Sequence, residues 1–185
     1  MTNSINEQLF WIINQPLGQM VDYIMIAVTF SGYTLPALGI ALITARFYNG
    51  LNRENFKILA VAMIIGGIGV IGVKQVYIKD RPLGHFGEIS KELQAKVHAP
   101  YKRPHHRTFP SGHSQTGFSV AMIMILLFRR HTIVWLTWAS LVAISRVQLG
   151  MHFPADILAG SVWGALSAYL TYRYFKRKEP TPSQE

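Results

Sequence analysis

The chain has 185 residues; half of them are hydrophobic and 15% are charged, against about 25% charged in an average soluble domain. The absence of cysteine excludes a disulfide framework, a thiolate nucleophile and a thiolate metal site. The formal net charge of +9 fits an anionic membrane surface or an anionic substrate. No nucleic-acid partner is expected, because long apolar segments hold the basic residues apart.

The length predicts one domain, and its N-terminal part is weakly patterned. The start lacks the basic residues and the small-residue cleavage site of a signal peptide. Residues 4–15 are predicted to be amphipathic, with Phe10 and Trp11 suited to the headgroup region. Residues 17–31 are apolar but contain Asp22, which favours an interfacial or partly buried helix. A short candidate span follows over residues 33–48.

Four further stretches approach the ~20 apolar residues that a bilayer crossing requires. They cover residues 56–77, 111–128, 132–149 and 155–175. A soluble all-helical core is the alternative, but four such runs in 185 residues would leave too little polar surface to cover them. The predicted fold class is therefore all-α, an integral-membrane helical bundle of five to six transmembrane helices. The predicted domains are an amphipathic or interfacial segment over 1–32, a transmembrane domain over 33–175 and a disordered polar tail over 176–185.

Small residues recur in the candidate spans at spacings that let membrane helices approach closely. Ordinary scatter of glycine in membrane helices is the alternative interpretation. The residues concerned are Gly66, Gly67, Gly69 and Gly72 in one span and Gly160 and Gly164 in another.

Three polar clusters lie at ends of candidate spans, where ionisable residues are costly and hence functional candidates. Tracing the spans places all three ends on one side of the membrane, next to a polar loop over residues 79–107. The clusters are Lys74, Arg81 and Pro82; then Pro110, Ser111, Gly112 and His113; then Ser145, Arg146, His152 and Asp156.

This set of side chains fits phosphate chemistry. Two arginines and a lysine can hold the oxygens of a phosphoryl group, and the seven-residue spacing of Lys74 and Arg81 would place both on one helical face. Ser111 and Gly112 begin a predicted helix, whose free N–H groups favour an anion. Asp156 lies four residues after His152, so it could fix the imidazole tautomer and leave the other nitrogen to attack phosphorus. A second histidine, His113, could protonate the departing oxygen.

Each cluster also has a plainer interpretation. A lysine and arginine near a helix end commonly snorkel to the headgroups. Pro-Ser-Gly-His alone is only a turn followed by a helix start, and a histidine–aspartate pair is often a structural hydrogen bond. Two metal ions would need more carboxylates than the three aspartates supply. A single zinc ion is the remaining metal alternative, and a solvated loop is favoured over it. The zinc would be held by His98, His105, His106 or His113.

The clusters resemble the signature of the type 2 phosphatidic acid phosphatase family. That signature is a lysine, six residues and Arg-Pro; then Pro-Ser-Gly-His; then Ser-Arg, five residues, His, three residues and Asp. Every position matches in order between residues 74 and 156. The resemblance implies His152 as nucleophile through a phosphohistidine, His113 as general acid and Asp156 as partner of His152. It implies no metal or other cofactor, and as phosphate ligands Lys74, Arg81, Ser111, Gly112 and Arg146.

The resemblance also implies a lipid phosphate substrate in a bacterial inner membrane. Bacterial relatives act on lipid A 1-phosphate, undecaprenyl diphosphate, phosphatidylglycerol phosphate or phosphatidic acid, and the sequence leaves the choice among them open, as it does the oligomeric state. The soluble members with this signature lack such spans. The alternative from another class is a non-enzymatic transporter or binding protein for anionic lipids, although repeated halves are not visible in the sequence.

The basic residues suggest an orientation. Each side of the traced bundle receives nine of the 18 lysines and arginines. When Lys74, Arg81 and Arg146 are set aside as phosphate ligands, six basic residues remain on the side of the clusters and nine on the opposite side. The bias predicts that Arg129 and Arg130 are cytoplasmic and that the three clusters face the periplasm.

Overall fold

The computed structural model describes residues 4–50, 52–100 and 106–177, and the regular elements within these ranges are all α-helices. All six apolar segments inferred from the sequence form helices close to the expected bounds. The polar segment over residues 79–107 also contains two short helices, α5 and α6. The helices are α1 (Ile5–Ile13), α2 (Gln19–Ser31), α3 (Thr34–Phe47), α4 (Arg53–Val76), α5 (Pro82–Ile89), α6 (Lys91–Lys96), α7 (Gly112–Phe128), α8 (Thr132–Gln148) and α9 (Pro154–Lys176).

Helix α7 is the centre of the bundle and packs against α3, α4, α8 and α9. Its buried positions continue around the helix, as expected of a helix that is surrounded by protein. On α3, the four-residue spacing of Ala37, Ala41 and Ala45 gives a flat, buried face of small side chains. The core of the bundle is therefore built around α7.

Glycines let α7 and its neighbours approach at backbone distance. A Cβ on Gly164 would lie 2.2 Å from the carbonyl oxygen of Gln115 on α7. On α4, a Cβ on Gly66 would lie 2.1 Å from the side-chain nitrogen of Gln115. The predicted close approach is thus confirmed at these positions, but a Cβ on Gly67 would meet nothing within 4 Å. The sequence pattern does not separate the two kinds of glycine.

Fewer helices satisfy the length and hydropathy criteria for a membrane span than the sequence predicts. In the described part of the chain, α4 alone satisfies both criteria, and α2 with α3 would add a second if this pair, bent by 75°, counts as one span. Helix α7 is apolar but has 17 residues, about 26 Å of helix. The number of five to six transmembrane helices stays a prediction.

Helices α1, α5 and α6 form a cap over one end of the bundle. Phe10 of α1 is fully buried against Phe86 and Phe153, with ring centroids 5.6 Å and 5.3 Å apart. The expectation that Phe10 reaches the headgroups is wrong, because the cap gives this face of α1 a protein partner. Asn14 fixes the same helix, since its amide donates to the carbonyl oxygens of His98, Val147 and Gln148.

The predicted boundary at residue 32 falls between two packed helices. Helix α2 lies along α8, where the Thr29 and Ser145 hydroxyls are 2.6 Å apart and the Trp138 indole donates to Ser31 Oγ. The division into a 1–32 segment and a 33–175 domain stays a prediction. Most of the predicted tail, residues 178–185, lies outside the described residues.

Candidate active site

The three polar clusters lie at the same end of the bundle, as the sequence predicts. The Thr108 N–H donates to the Lys79 carbonyl oxygen over 2.9 Å, joining the segment before α7 to the segment after α4. The Ser111 N–H donates to the Asp156 carbonyl oxygen over 3.0 Å, joining the start of α7 to the first turn of α9. Main-chain hydrogen bonds therefore hold all three segments together.

A tight turn between α8 and α9 carries His152. Gly150 has a φ of 67°, a conformation that favours glycine, and a Cβ there would also come within 2.7 Å of the His98 carbonyl oxygen. The Arg146 carbonyl oxygen then accepts hydrogen bonds from the N–H groups of Met151 and His152. His152 is 2% exposed. These contacts fix the main chain of the turn that carries the imidazole.

The predicted helical pairing of His152 with Asp156 is wrong in detail. His152 precedes α9, which starts at Pro154, so the two residues do not share a helical face. The His152 Nδ1 atom is 3.7 Å from Asp156 Oδ2, too far for a hydrogen bond. The Thr108 hydroxyl lies between them, 3.0 Å from His152 Nδ1 and 2.6 Å from Asp156 Oδ2.

Donors surround the Asp156 carboxylate. Its Oδ2 atom also accepts from the Phe153 N–H at 2.8 Å, a bond that caps α9. Its Oδ1 atom is 3.3 Å from Lys79 Nζ, and the same ammonium lies 4.9 Å from the centre of the Phe153 ring. The carboxylate is fully buried, and these contacts compensate its charge.

Burial lowers the pKa of His152 to about 3, and the positive charges of Arg146 and Arg81 act in the same direction. Its interaction with Asp156 opposes this shift without cancelling it. The imidazole is therefore neutral at physiological pH, and one ring nitrogen keeps a lone pair.

The basic residues approach the same turn from different elements. Arg81 Nη1 donates to the Met151 carbonyl oxygen over 3.1 Å, and Arg146, 2% exposed, donates to the Thr29 hydroxyl over 3.3 Å. Lys74 is in the last turn of α4 and interacts electrostatically with both arginines. The structure thus gathers the three cations around the turn that carries His152.

The expected shared helical face of Lys74 and Arg81 is wrong. Helix α4 ends at Val76, and Arg81 has a ψ of 160° as the N-cap of α5. The residue before a proline is disfavoured in the helical region, and Pro82 follows Arg81. The two side chains converge because the chain turns between them.

Ser111 and Gly112 occupy the predicted helix start. Ser111 is the N-cap of α7, and its hydroxyl accepts hydrogen bonds from the backbone N–H and the hydroxyl of Ser114. Gly112 is the first helical residue. The first N–H groups of a helix have no carbonyl acceptor within the helix, so the start of α7 provides a positive potential for an anion.

His113 lies one residue further along α7 and faces a cleft. Its ring meets the Tyr33 ring edge-on, with centroids 4.4 Å apart. The cleft has a volume of about 250 Å³ and runs between the α2–α3 junction, α4 and α7. Gly67 and Val70 line its α4 side, so His113 is placed where the site opens toward the apolar surface of the bundle.

The histidines of the polar segment have other partners. His98 Nε2 is 2.7 Å from Asp22 Oδ1, and both side chains are 15% exposed. The expectation of a solvated His98 is therefore wrong, because its side chain is largely buried and pairs with Asp22 of α2. His106 is 70% exposed and pairs with Asp80, whereas His105 lies outside the described residues. Within the described ranges, no three His, Asp or Glu side chains are grouped so as to hold a metal ion.

Sequence reasoning missed Thr108 and Lys79 as parts of this site. Thr108 is two residues before Pro110 of the second cluster, and Lys79 is two residues before Arg81 of the first. Proximity to the clusters was the only available signal. Their contacts with Asp156 depend on how the segments after α4 and before α7 fold back.

The fold and the site together describe a helical membrane protein with a basic, histidine-containing pocket at one end of its bundle. The sequence profile of the PAP2 superfamily matches residues 55–180. The chain belongs to this superfamily.

Known relatives agree with this assignment. A segment covering 38% of the chain is 37% identical to the lipid A 1-phosphatase of Rhizobium johnstonii, over 29% of that protein. The undecaprenyl-diphosphatase BcrC of Bacillus subtilis is 25% identical over 85% of the chain and 76% of its own length. At the highest identities, the matches span less than a third of the curated relatives' length.

A solved structure has the same fold. The crystal structure of Aquifex aeolicus LpxE superposes with a TM-score of 0.77 at 23% identity, covering 92% of this chain and 96% of that one. The similarity is one of fold, and it supports the helical bundle.

Proposed function

We propose that the protein is a metal-independent lipid phosphatase that hydrolyses a phosphate or diphosphate monoester of a cell-envelope lipid. One observation carries the proposal: a buried, neutral His152 lies near Arg81 and Arg146, with its Nδ1 nitrogen already engaged. Lys74 interacts electrostatically with both arginines and with Asp156. A cationic pocket of this kind can hold a phosphoryl group, and Nε2 keeps the lone pair that can attack it.

The reaction takes two steps. His152 Nε2 attacks phosphorus while the bond from phosphorus to the lipid oxygen breaks, and His113 gives its proton to that oxygen. A water molecule then attacks the phosphohistidine; the N–P bond breaks, His113 takes a proton from the water, and phosphate leaves. Arg81, Arg146 and Lys74 bind the three phosphoryl oxygens in both steps, helped by Ser111 and the N–H groups of Gly112 and its neighbours.

The cleft beside His113 supports a lipid leaving group. The general acid must lie on the side from which the alcohol departs, and His113 lines the opening between α4 and α7. The candidate substrates are lipid A 1-phosphate, undecaprenyl diphosphate, phosphatidylglycerol phosphate and phosphatidic acid. All four carry their phosphate at the membrane surface, next to the helix ends that form the site.

The protein is further proposed to reside in the bacterial inner membrane as a multi-pass protein with its site on the periplasmic face. The charge bias toward the end that carries Arg129 and Arg130 supports this orientation. A periplasmic site fits substrates of the outer leaflet.

The activity is tested by phosphate release from the four lipids with purified protein in detergent and EDTA. The expected result is release from at least one lipid, loss of release in His152→Ala, and normal release in His131→Asn, an exposed histidine at the opposite end. Asparagine suits the positive φ of residue 131.

Three outcomes would contradict the proposal. If none of the lipids releases phosphate, the enzymatic function is wrong, and lipid binding retained by His152→Ala would then favour a transporter or binding protein. Loss of phosphate release in EDTA would contradict the metal-free mechanism. An absence of acid-labile phosphate on the protein during turnover would contradict the phosphohistidine step.

A further inference from the structure

Thr108 joins His152 to Asp156. Its hydroxyl is fully buried, 3.0 Å from His152 Nδ1 and 2.6 Å from Asp156 Oδ2. The direct distance from imidazole to carboxylate is 3.7 Å, so these two groups share no hydrogen bond. Any hydrogen-bonded connection between them passes through the threonine hydroxyl.

The direction of these hydrogen bonds follows from a count of protons. A hydroxyl has one proton to donate, and Thr108 has three possible acceptors: Asp156 Oδ2, His152 Nδ1 and the Met151 carbonyl oxygen at 3.5 Å. The contact of 2.6 Å with a carboxylate is by far the shortest, as expected of a charge-assisted bond. The proton of Thr108 therefore points to Asp156.

The carboxylate is in turn an acceptor only. Lys79 lies 3.3 Å from Oδ1, and the Phe153 N–H donates to Oδ2. An ammonium and a main-chain donor stabilise the ionised form. Since Asp156 receives the proton of Thr108, the hydroxyl can meet His152 only as an acceptor, and the Nδ1 atom of His152 must carry the hydrogen.

We propose that Thr108 is a positioning residue that holds His152 as the Nδ1–H tautomer, with its Nε2 lone pair directed at the phosphoryl group. This inference rests on the proposed function, in which His152 Nε2 is the nucleophile. The chain from Nδ1–H to Thr108 and then to Asp156 also stabilises the positive charge that the imidazole gains when the N–P bond forms. Asp156 acts on His152 through the threonine and through its charge at 3.7 Å.

The first test compares Thr108→Val with Thr108→Ser in steady-state phosphate release. Valine keeps the shape and removes the hydroxyl, whereas serine keeps the hydroxyl and removes a methyl group. Loss of the partner that orients a metal-ligating histidine costs about 10–100-fold in activity, and we expect a similar factor for a partner that orients a nucleophilic histidine. Thr108→Val should lose this factor in kcat with little change in KM, and Thr108→Ser should stay within about threefold of the wild type. Full kcat in Thr108→Val, or equal losses in both variants, would overturn the proposal.

A variant of the carboxylate separates positioning from packing. In an Asp156→Asn background the acceptor charge has gone, so adding Thr108→Val should cost less than about threefold in kcat, far less than in the wild type. Full additivity of the two losses would mean that Thr108 acts independently of Asp156 and would contradict the relay.

The second test needs no substrate. Nitrogen-15 NMR of protein labelled at its seven histidines, with the His152 signals assigned from His152→Gln, reports the tautomer directly. The wild type should show a protonated Nδ1 and a bare Nε2, and Thr108→Val should show a mixture of tautomers. An Nε2–H tautomer in the wild type would refute the relay. If the wild type instead shows the Nδ1–H tautomer and releases no phosphate, the proposed function fails while the relay stands.

Discussion

Gly160 on α9 lies directly against Ser111, the N-cap of α7. A Cβ at position 160 would come within 2.3 Å of the Ser111 carbonyl oxygen and 3.3 Å of its nitrogen. Because that nitrogen donates to the Asp156 carbonyl oxygen, the same contact couples the start of α7 to the first turn of α9. The small residue at position 160 thus sets the distance between two segments of the site.

Gly160→Ala should therefore damage stability and activity together. The added methyl group meets backbone atoms, so the helices must separate, at a cost of about 1–3 kcal/mol and about 2–4 °C in the unfolding midpoint for each kcal/mol. Thermal unfolding in detergent and phosphate release measure the two effects. Gly39→Ala is the matched control, because a Cβ at position 39 meets nothing within 4 Å. A Gly160→Ala protein as stable and active as that control would show that the close contact is not required.

The loss of kcat on removing the His113 imidazole should be larger for a more basic leaving group. A lipid alkoxide needs a proton as it departs, and general acids typically contribute about 10²–10⁴-fold. The phenolate of an activated aryl phosphate can leave without one. His113→Ala should thus lose at least about 100-fold in kcat on the lipid substrate and less than about tenfold on the aryl phosphate. Equal losses on both substrates would contradict the role of general acid.

The residues of this site differ in how far the sequence predicts them. Residue spacing identified His152, Asp156 and the cationic side chains, because these types are costly at membrane-helix ends. It gave the wrong local geometry for the pair of His152 and Asp156, since a turn at Gly150 and the start of α9 at Pro154 separate them. Tertiary contacts decide such details, and short sequence spacing does not record them.

The cap was harder still to infer. Phe10 and Asn14 belong to an N-terminal segment whose amphipathic pattern fits a membrane surface and a protein surface equally well. Their partners, Phe153 and His98, are more than 80 residues away in the chain. The helices themselves were predictable, because an apolar run that crosses a membrane must satisfy its backbone internally.

The cleft beside His113 provides a test of where the lipid lies. Gly67 lines it and has nothing within 4 Å of an added Cβ, so Gly67→Leu should fold normally and fill the opening. We expect kcat/KM to fall about tenfold, equivalent to about 1.4 kcal/mol, for a long-chain lipid phosphate and to change little for a short-chain soluble phosphate ester. Gly39→Leu, on an open position outside the cleft, is the control. Equal effects on both substrates would place the lipid chain elsewhere.

The protonation state of His152 gives a prediction about pH. A group is mostly unprotonated above its pKa, and burial lowers the pKa of His152 to about 3. The imidazole should therefore stay neutral between pH 7.5 and 5, whereas an ordinary histidine with a pKa near ~6.5 would be about 97% protonated at pH 5. The nitrogen-15 signals of His152 should not titrate in this interval. A His152 midpoint near 6.5 would remove the argument for a permanently neutral nucleophile.

The absence of cysteine from the chain makes the orientation directly testable, because any introduced thiol is the only one. Lys91 on α6 and Arg130 between α7 and α8 are both exposed. They lie at opposite ends of the helical bundle. If the site faces the periplasm, a membrane-impermeant maleimide should label Lys91→Cys in spheroplasts and should label Arg130→Cys only after lysis. The charge bias behind this expectation is six basic residues on the side of the site against nine on the opposite side. The reverse labelling pattern would put the site on the cytoplasmic face, and its substrates would then belong to the inner leaflet.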